Sequence, residues 1–90
     1  MGESDKELER ILKALANSRR LSILRFLKKR KEASVGTIAE KIKLSFKATS
    51  RHLARLSAID VVDKEQRSLQ MFYRIADTPP EAARRIISLL

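Results

Sequence analysis

The stretch IAEKIKLSFKATSRHLARL, Ile38–Leu56, decides how the chain folds. Ile38, Ala39 and Ile42 recur at helical spacing behind Val35 and Ser34, and serine is a residue type that caps helix N-termini. The triplet KLS, Lys43–Ser45, breaks that run, and Ser45 then caps a further helix predicted over Phe46–Ala58. Two short helices joined by a turn of three or four residues make a helix-turn-helix. At about 100° per residue, Phe46, Thr49, Leu53 and Leu56 gather on one face of the second helix, which the pattern assigns to the core. Lys47, Arg51 and Arg55 recur every fourth residue on nearly the opposite face. A solvated face usually mixes both signs, because opposite charges four residues apart stabilise a helix. Between Leu44 and Ile59 there is no acidic residue. Three like charges in a row cost free energy unless a polyanion neutralises them. The stripe therefore reads as a DNA contact ahead of a plain solvated surface.

Working towards the N-terminus, Ser4 and Glu7 fit a capping box. Leu8, Ile11, Leu12 and Leu15 follow at helical spacing, so a helix is predicted over Asp5 to Leu15 or Ala16. A second runs from about Ser18 to Lys29, with Leu21, Ile23, Leu24, Phe26 and Leu27 apolar nearly all round, as in a central helix. Its end, KKRKE, Lys28–Glu32, carries cations that suit the negative pole of a helix dipole; a solvated end and a phosphate contact are equally good readings of it. Working towards the C-terminus, Val61–Lys64 and Gln70–Ile75 are β-prone runs flanking Glu65–Ser68, which reads as a hairpin. Its turn holds no Gly or Asn, so a loop longer than two residues is expected. Pro80 then opens a last helix, Pro80–Leu90.

Ninety residues fit one small domain, here 1–90. Lys and Arg number 20 against 11 Asp and Glu, a net charge of +9, which points to nucleic acid; a ribosomal or membrane-surface protein is the plainer alternative. The chain has no cysteine, hence no disulfide or thiolate chemistry. No apolar run approaches the roughly 20 residues of a spanning helix. The N-terminus lacks the order of a signal peptide, which reads as cytoplasmic, and the Met-Gly start does not continue as a myristoylation signal.

The predicted class is mainly α with a small β-hairpin, in the order α-α-α-α-β-β-α, and a hairpin directly after such a helix is a wing. Here the chain resembles the ArsR/SmtB-type winged helix-turn-helix transcriptional repressors. LKALANSRRLSILRFL is similar to the family's opening pair of helices. The S-x-H-L-x-x-L pattern at Ser50, His52, Leu53 and Leu56 is similar to its recognition helix, and MFYRIAD fits the end of its wing. The resemblance implies a homodimer on an inverted-repeat operator in double-stranded DNA, joined through the first and last helices. Leu8, Ile11, Leu12, Leu15, Ile86, Ile87 and Leu90 are the interface candidates. Lys47, Ser50 and Arg51 are expected at base edges, because the start of a recognition helix enters the major groove. His52, Arg55, Lys64 and Arg67 are expected at phosphates. For Arg67, in the turn, an ordinary exposed loop residue is nearly as good a reading.

His52 is the only histidine. A structural zinc site needs four ligands, usually Cys and His, and catalysis needs a partner nucleophile or an orienting acid; the sequence supplies neither. A packed, hydrogen-bonded histidine and a donor to DNA remain, the second favoured by the resemblance. Many metal-sensing members carry a Cys-x-Cys pair where this chain has Ser34 and Gly36, and the last helix lacks the His of the other usual site. Asp77 and Glu81 are better read as solvated than as a hard-cation site. No metal and no cofactor are expected, and no enzyme, since there is no nucleophile or phosphate loop. A protein–protein module and a non-specific architectural nucleic-acid binder are the rival classes.

Overall fold

The computed structural model describes residues 4–90; the Met-Gly start weighed for myristoylation lies outside them. Among the described residues there are five helices and three short strands: α1 (Asp5–Leu15), α2 (Ser18–Arg30), β1 (Glu32–Ser34), α3 (Val35–Ile42), α4 (Phe46–Ala58), β2 (Val62–Arg67), β3 (Gln70–Ile75) and α5 (Glu81–Ser88).

Side-chain caps start α1, α3 and α4 where residue type placed them. Ser4 Oγ accepts the Glu7 N–H at 3.2 Å, Ser34 Oγ that of Thr37 at 3.2 Å and Ser45 Oγ that of Ala48 at 3.1 Å. The capping box on α1 is only half made, because the Glu7 carboxylate takes the Arg10 guanidinium at 3.0 Å. Asn17 explains the break between α1 and α2: its side chain accepts the Arg20 N–H at 3.0 Å. The α3–α4 turn closes through Lys43, left-handed at φ 58°. The N–H of Lys43 reaches Glu40 O at 3.3 Å and that of Leu44 reaches Ala39 O at 3.0 Å, a Schellman-like closure. Three residues therefore suffice to turn the chain.

α2 lies at the centre, its Ile23, Leu24 and Leu27 buried against Ile11 and Leu15 of α1, Ile38 of α3, Leu53 and Leu56 of α4, and Ala83 and Ile87 of α5. Val61, Val62 and Tyr73 close the core from the hairpin. At about 25 cal/mol per Å² of apolar surface covered, this one cluster supplies most of the drive to fold. The architecture is a winged helix-turn-helix.

Several expectations change. The sheet has three strands in the order β1-β3-β2, with Ala33 opposite Tyr73; β1 was not foreseen, so the order is α-α-β-α-α-β-β-α. The hairpin turn is tight, because Arg67 pairs with Gln70 and leaves only Ser68 and Leu69. Ser68 takes φ 57° without being Gly or Asn. Glu65, Gln66 and Arg67, read as turn, belong to β2. Phe46 is 62% exposed rather than core; it stands on the first turn of α4, beyond the reach of the packed helices. The dimer candidates Ile11, Leu15 and Ile87 are buried within the single chain and so are core residues. Among the described residues no helix is long and apolar enough to cross a membrane.

Candidate nucleic-acid interface

α4 is set by both ends. Ser45 caps its start, and at its far end Arg10 of α1 donates to Ala58 O at 3.1 Å. Thr49, Leu53 and Leu56 pin its inner face. The outward face then presents Lys47, Arg51 and Arg55, all exposed. They span about 12 Å at 1.5 Å per residue. None of the three makes an ion pair among the described residues, whereas Arg10, Lys13, Arg67, Arg74 and Arg85 all have carboxylate partners. Ser50 is half-buried beside the stripe.

His52 sits between stripe and core. Its Nδ1 lies 3.2 Å from Arg20 Nη1 of α2. A guanidinium has no acceptor, so Nδ1 accepts and the ring proton resides on Nε2. The ring is therefore neutral. Burial, then the charges of Arg20, Arg19 and Arg55, hold its pKa below the usual histidine value. Arg20 was not foreseen as part of this surface. Nothing local marks it, since it meets His52 only through the packing of α2 on α4.

The wing separates its two basic candidates. Arg67 donates to Glu32 at 2.6 and 3.0 Å and to Glu65 at 3.0 Å, and its guanidinium lies 4.6 Å from the centre of the Phe72 ring. Those partners raise its pKa further. Arg67 is thus engaged by two carboxylates within the protein. Strand alternation puts Lys64 on the opposite face of β2 from Asp63, Glu65 and Arg67. Lys64 is exposed there, with Gln66 following on the same face.

Among the described residues no three His, Cys, Asp or Glu side chains gather as a metal site. Ser34 instead caps α3, its hydroxyl also reaching Thr37 Oγ1 at 3.0 Å. On α1 and at the chain's C-terminal end, Leu12 is 44% and Leu89 79% exposed, with Leu8, Ile86 and Leu90 half-buried.

Residues 17–64 match the family described as bacterial regulatory protein, arsR family. The chain is 39% identical over 72 residues to the transcriptional activator HlyU of Vibrio cholerae, covering 80% of this chain and 66% of HlyU. It is 32% identical over 87 residues to the HTH-type transcriptional regulator YgaV of Escherichia coli, covering 97% of this chain and 85% of YgaV. Its fold is similar to the homodimeric winged helix-turn-helix DNA-binding domain Mb0332 of Mycobacterium bovis, with a TM-score of 0.78 and 32% identity over 99% of this chain and 84% of that one.

Proposed function

The chain belongs to the arsR family of bacterial regulatory proteins, and from that premise we propose that it binds an inverted-repeat operator in double-stranded DNA as a homodimer. The observation that carries this reading is the stripe Lys47, Arg51 and Arg55, exposed on the outer face of α4 and without acidic partners among the described residues. Lys47, Ser50 and Arg51, towards the start of the helix, meet base edges in the major groove. Arg55, one turn on, meets the backbone, with His52 at the flank and Lys64 on the wing. The homodimeric state of the Mb0332 domain and the exposed leucines of α1 and α5 support the pairing.

HlyU is named an activator, so family membership leaves the sign of regulation open. We put repression first, because occupying an operator suffices for it and no contact with polymerase is needed. The work of the protein is then in the cytoplasm, with the DNA.

The test is binding of Arg51→Ala and Arg55→Ala to matched and mismatched duplexes across salt. Arg51→Ala is expected to relax preference at one position per half-site, by the ~1–3 kcal/mol of a bidentate Arg–guanine pair. Arg55→Ala is expected to weaken all sequences alike and lower the salt slope by about one. An unchanged matched-to-mismatched ratio in Arg51→Ala transfers the base-reading role to Lys47. Binding insensitive to salt in the unmodified protein removes the DNA reading and favours a protein-binding module.

A further inference from the structure

Beside the stripe, the packing of α2 against α4 leaves an open notch of about 570 Å³, lined by Arg20, Ala48, Arg51, His52, Ala54, Arg55 and Ala58. Its polar lining is one-sided. Arg20 is fixed: its Nε donates to Ala14 O and its Nη1 to His52 Nδ1. Of its five N–H donors, those on Nη2 have no partner among the described residues. His52 has spent its one acceptor on Arg20, which leaves only the Nε2–H donor. Among the described residues Arg51 and Arg55 make no ion pair and no acidic side chain lines the notch. The rest of the lining is alanine, which neither competes for a ligand nor blocks its approach. Burial and the nearby Arg55 charge also lower the Arg20 pKa. The cations therefore repel one another across a space that holds only donors and methyl groups.

We propose that this notch seats one phosphate-type oxyanion, with the Arg20 guanidinium as the preset donor, Arg55 closing over it and His52 Nε2–H as a neutral third donor, while Arg51 at its edge stays with the bases. An anion there relieves the mutual repulsion of the arginines and forms charge-assisted hydrogen bonds with the half-buried Arg20 and His52. The proposal rests on the DNA reading for its occupant, a backbone phosphodiester flanking the groove that α4 enters. Free phosphate shares the chemistry, so the experiment separates the two. Within the recognition surface, this gives α2 a share in DNA binding through a residue that cannot reach a base.

The single histidine makes the test direct, since the chain has one imidazole to follow by NMR. The unmodified protein and Arg20→Gln are titrated with a short random-sequence duplex and, separately, with inorganic phosphate. Binding is followed in parallel by fluorescence anisotropy across salt. In the unmodified protein the duplex is expected to shift the His52 ring nitrogen signals and raise its pKa. Arg20→Gln is expected to bind every sequence roughly tenfold more weakly, the size of a lost hydrogen bond to a charged group, with a salt slope lower by about one. A shift with duplex alone identifies the phosphodiester as occupant. A saturable shift with phosphate as well, lost in Arg20→Gln, supports the seat and adds the free anion. Duplex binding that leaves the His52 signals unmoved overturns the proposal, as does an unchanged salt slope in Arg20→Gln. If no duplex binds, the DNA reading has failed, and the phosphate titration alone decides the seat: a saturable shift keeps it and no shift overturns it. Should Arg20→Gln fail to fold, the two titrations of the unmodified protein decide.

Discussion

Thr49 carries a hydroxyl that the fold does not use. Its side chain is fully buried on the inner face of α4, and Oγ1 has no hydrogen-bond partner among the described residues. Leaving such a group unpaired costs about 1–3 kcal/mol. Valine has the same shape, the same branching at Cβ and a similar helix propensity. Thr49→Val is therefore expected to stabilise the chain by about 1 kcal/mol, which raises Tm by roughly 4–8 °C in a domain this small. Thermal unfolding checks it, and a lower Tm would mean that the hydroxyl has a partner. Thr49 was legible as a core-face residue from spacing alone, because periodicity reports faces. The duties of individual cations were not legible. Arg10, Arg19 and Lys28 donate to the carbonyls of Ala58, Ile42 and Ile87, at the C-terminal ends of α4, α3 and α5. Each satisfies acceptors that a helix end leaves open, across 48, 23 and 59 residues of chain. Counting charge along the sequence makes these residues equivalent to Arg51, and only the packing separates them. His52 shows the same limit: its flank position followed from the helical period, its bond to Arg20 did not.

Among the elements, the helices and the hairpin of the wing were legible; the third strand and the tight turn were not. Serine caps and a 3.6-residue period are local signals, and they fixed α3 and α4 with the turn between them. β1 is three residues long, too short for any period, and exists because β3 offers it an edge. The tight turn escaped because Ser68 accepts a left-handed φ of 57°, which costs a non-glycine residue roughly 1 kcal/mol. Side chains across the sheet offset that cost. Arg67 reaches past Phe72 to Glu32 on β1 and also holds Glu65 beside it. The wing is thus tied down on its acidic face while Lys64 stays free on the other. Glu32→Gln is expected to loosen it, seen as faster amide hydrogen exchange from Gln66 to Met71. The hydrogen bond and then the charge of Arg67 hold the Glu32 carboxyl below its usual value. The pairing is therefore present above the unfolded glutamate value of about 4.3 and is lost as pH falls through the lower folded value. Variant and unmodified protein should differ near neutral pH and converge in strong acid. Equal protection at neutral pH and low salt would show that the ion pairs do not hold the wing.

At the scale of the whole molecule, the question is what covers the leucines that the single chain leaves out. The buried residues Ile11, Leu15 and Ile87 are already used, so a charge at Ile87 would unfold the chain rather than dissociate it. Leu12 and Leu89 stay exposed, with Leu8, Ile86 and Leu90 half-covered, on two helices packed side by side. The groove along Leu8, Leu12 and Ala16 is edged by Asp5, Glu9 and Lys13, an apolar strip with a polar rim, as protein interfaces have. A stable pairing covers about 800 Å² per partner, a modest share of a 6077 Å² surface. Leu12→Glu places a charge at the centre of that strip without disturbing the core, so it is expected to give folded monomers by sedimentation at micromolar concentration. The consequence for DNA follows from counting contacts. A dimer puts two α4 helices into major grooves about 34 Å apart, and each half neutralises its own set of phosphates. Because the salt slope scales with the number of phosphates neutralised, the monomeric variant should bind with about half the slope of the dimer. It should also lose all sensitivity to the spacing between half-sites. An unmodified protein that sediments as a monomer at these concentrations, or a Leu12→Glu variant that keeps the full slope and the spacing preference, would place the pairing on some other surface.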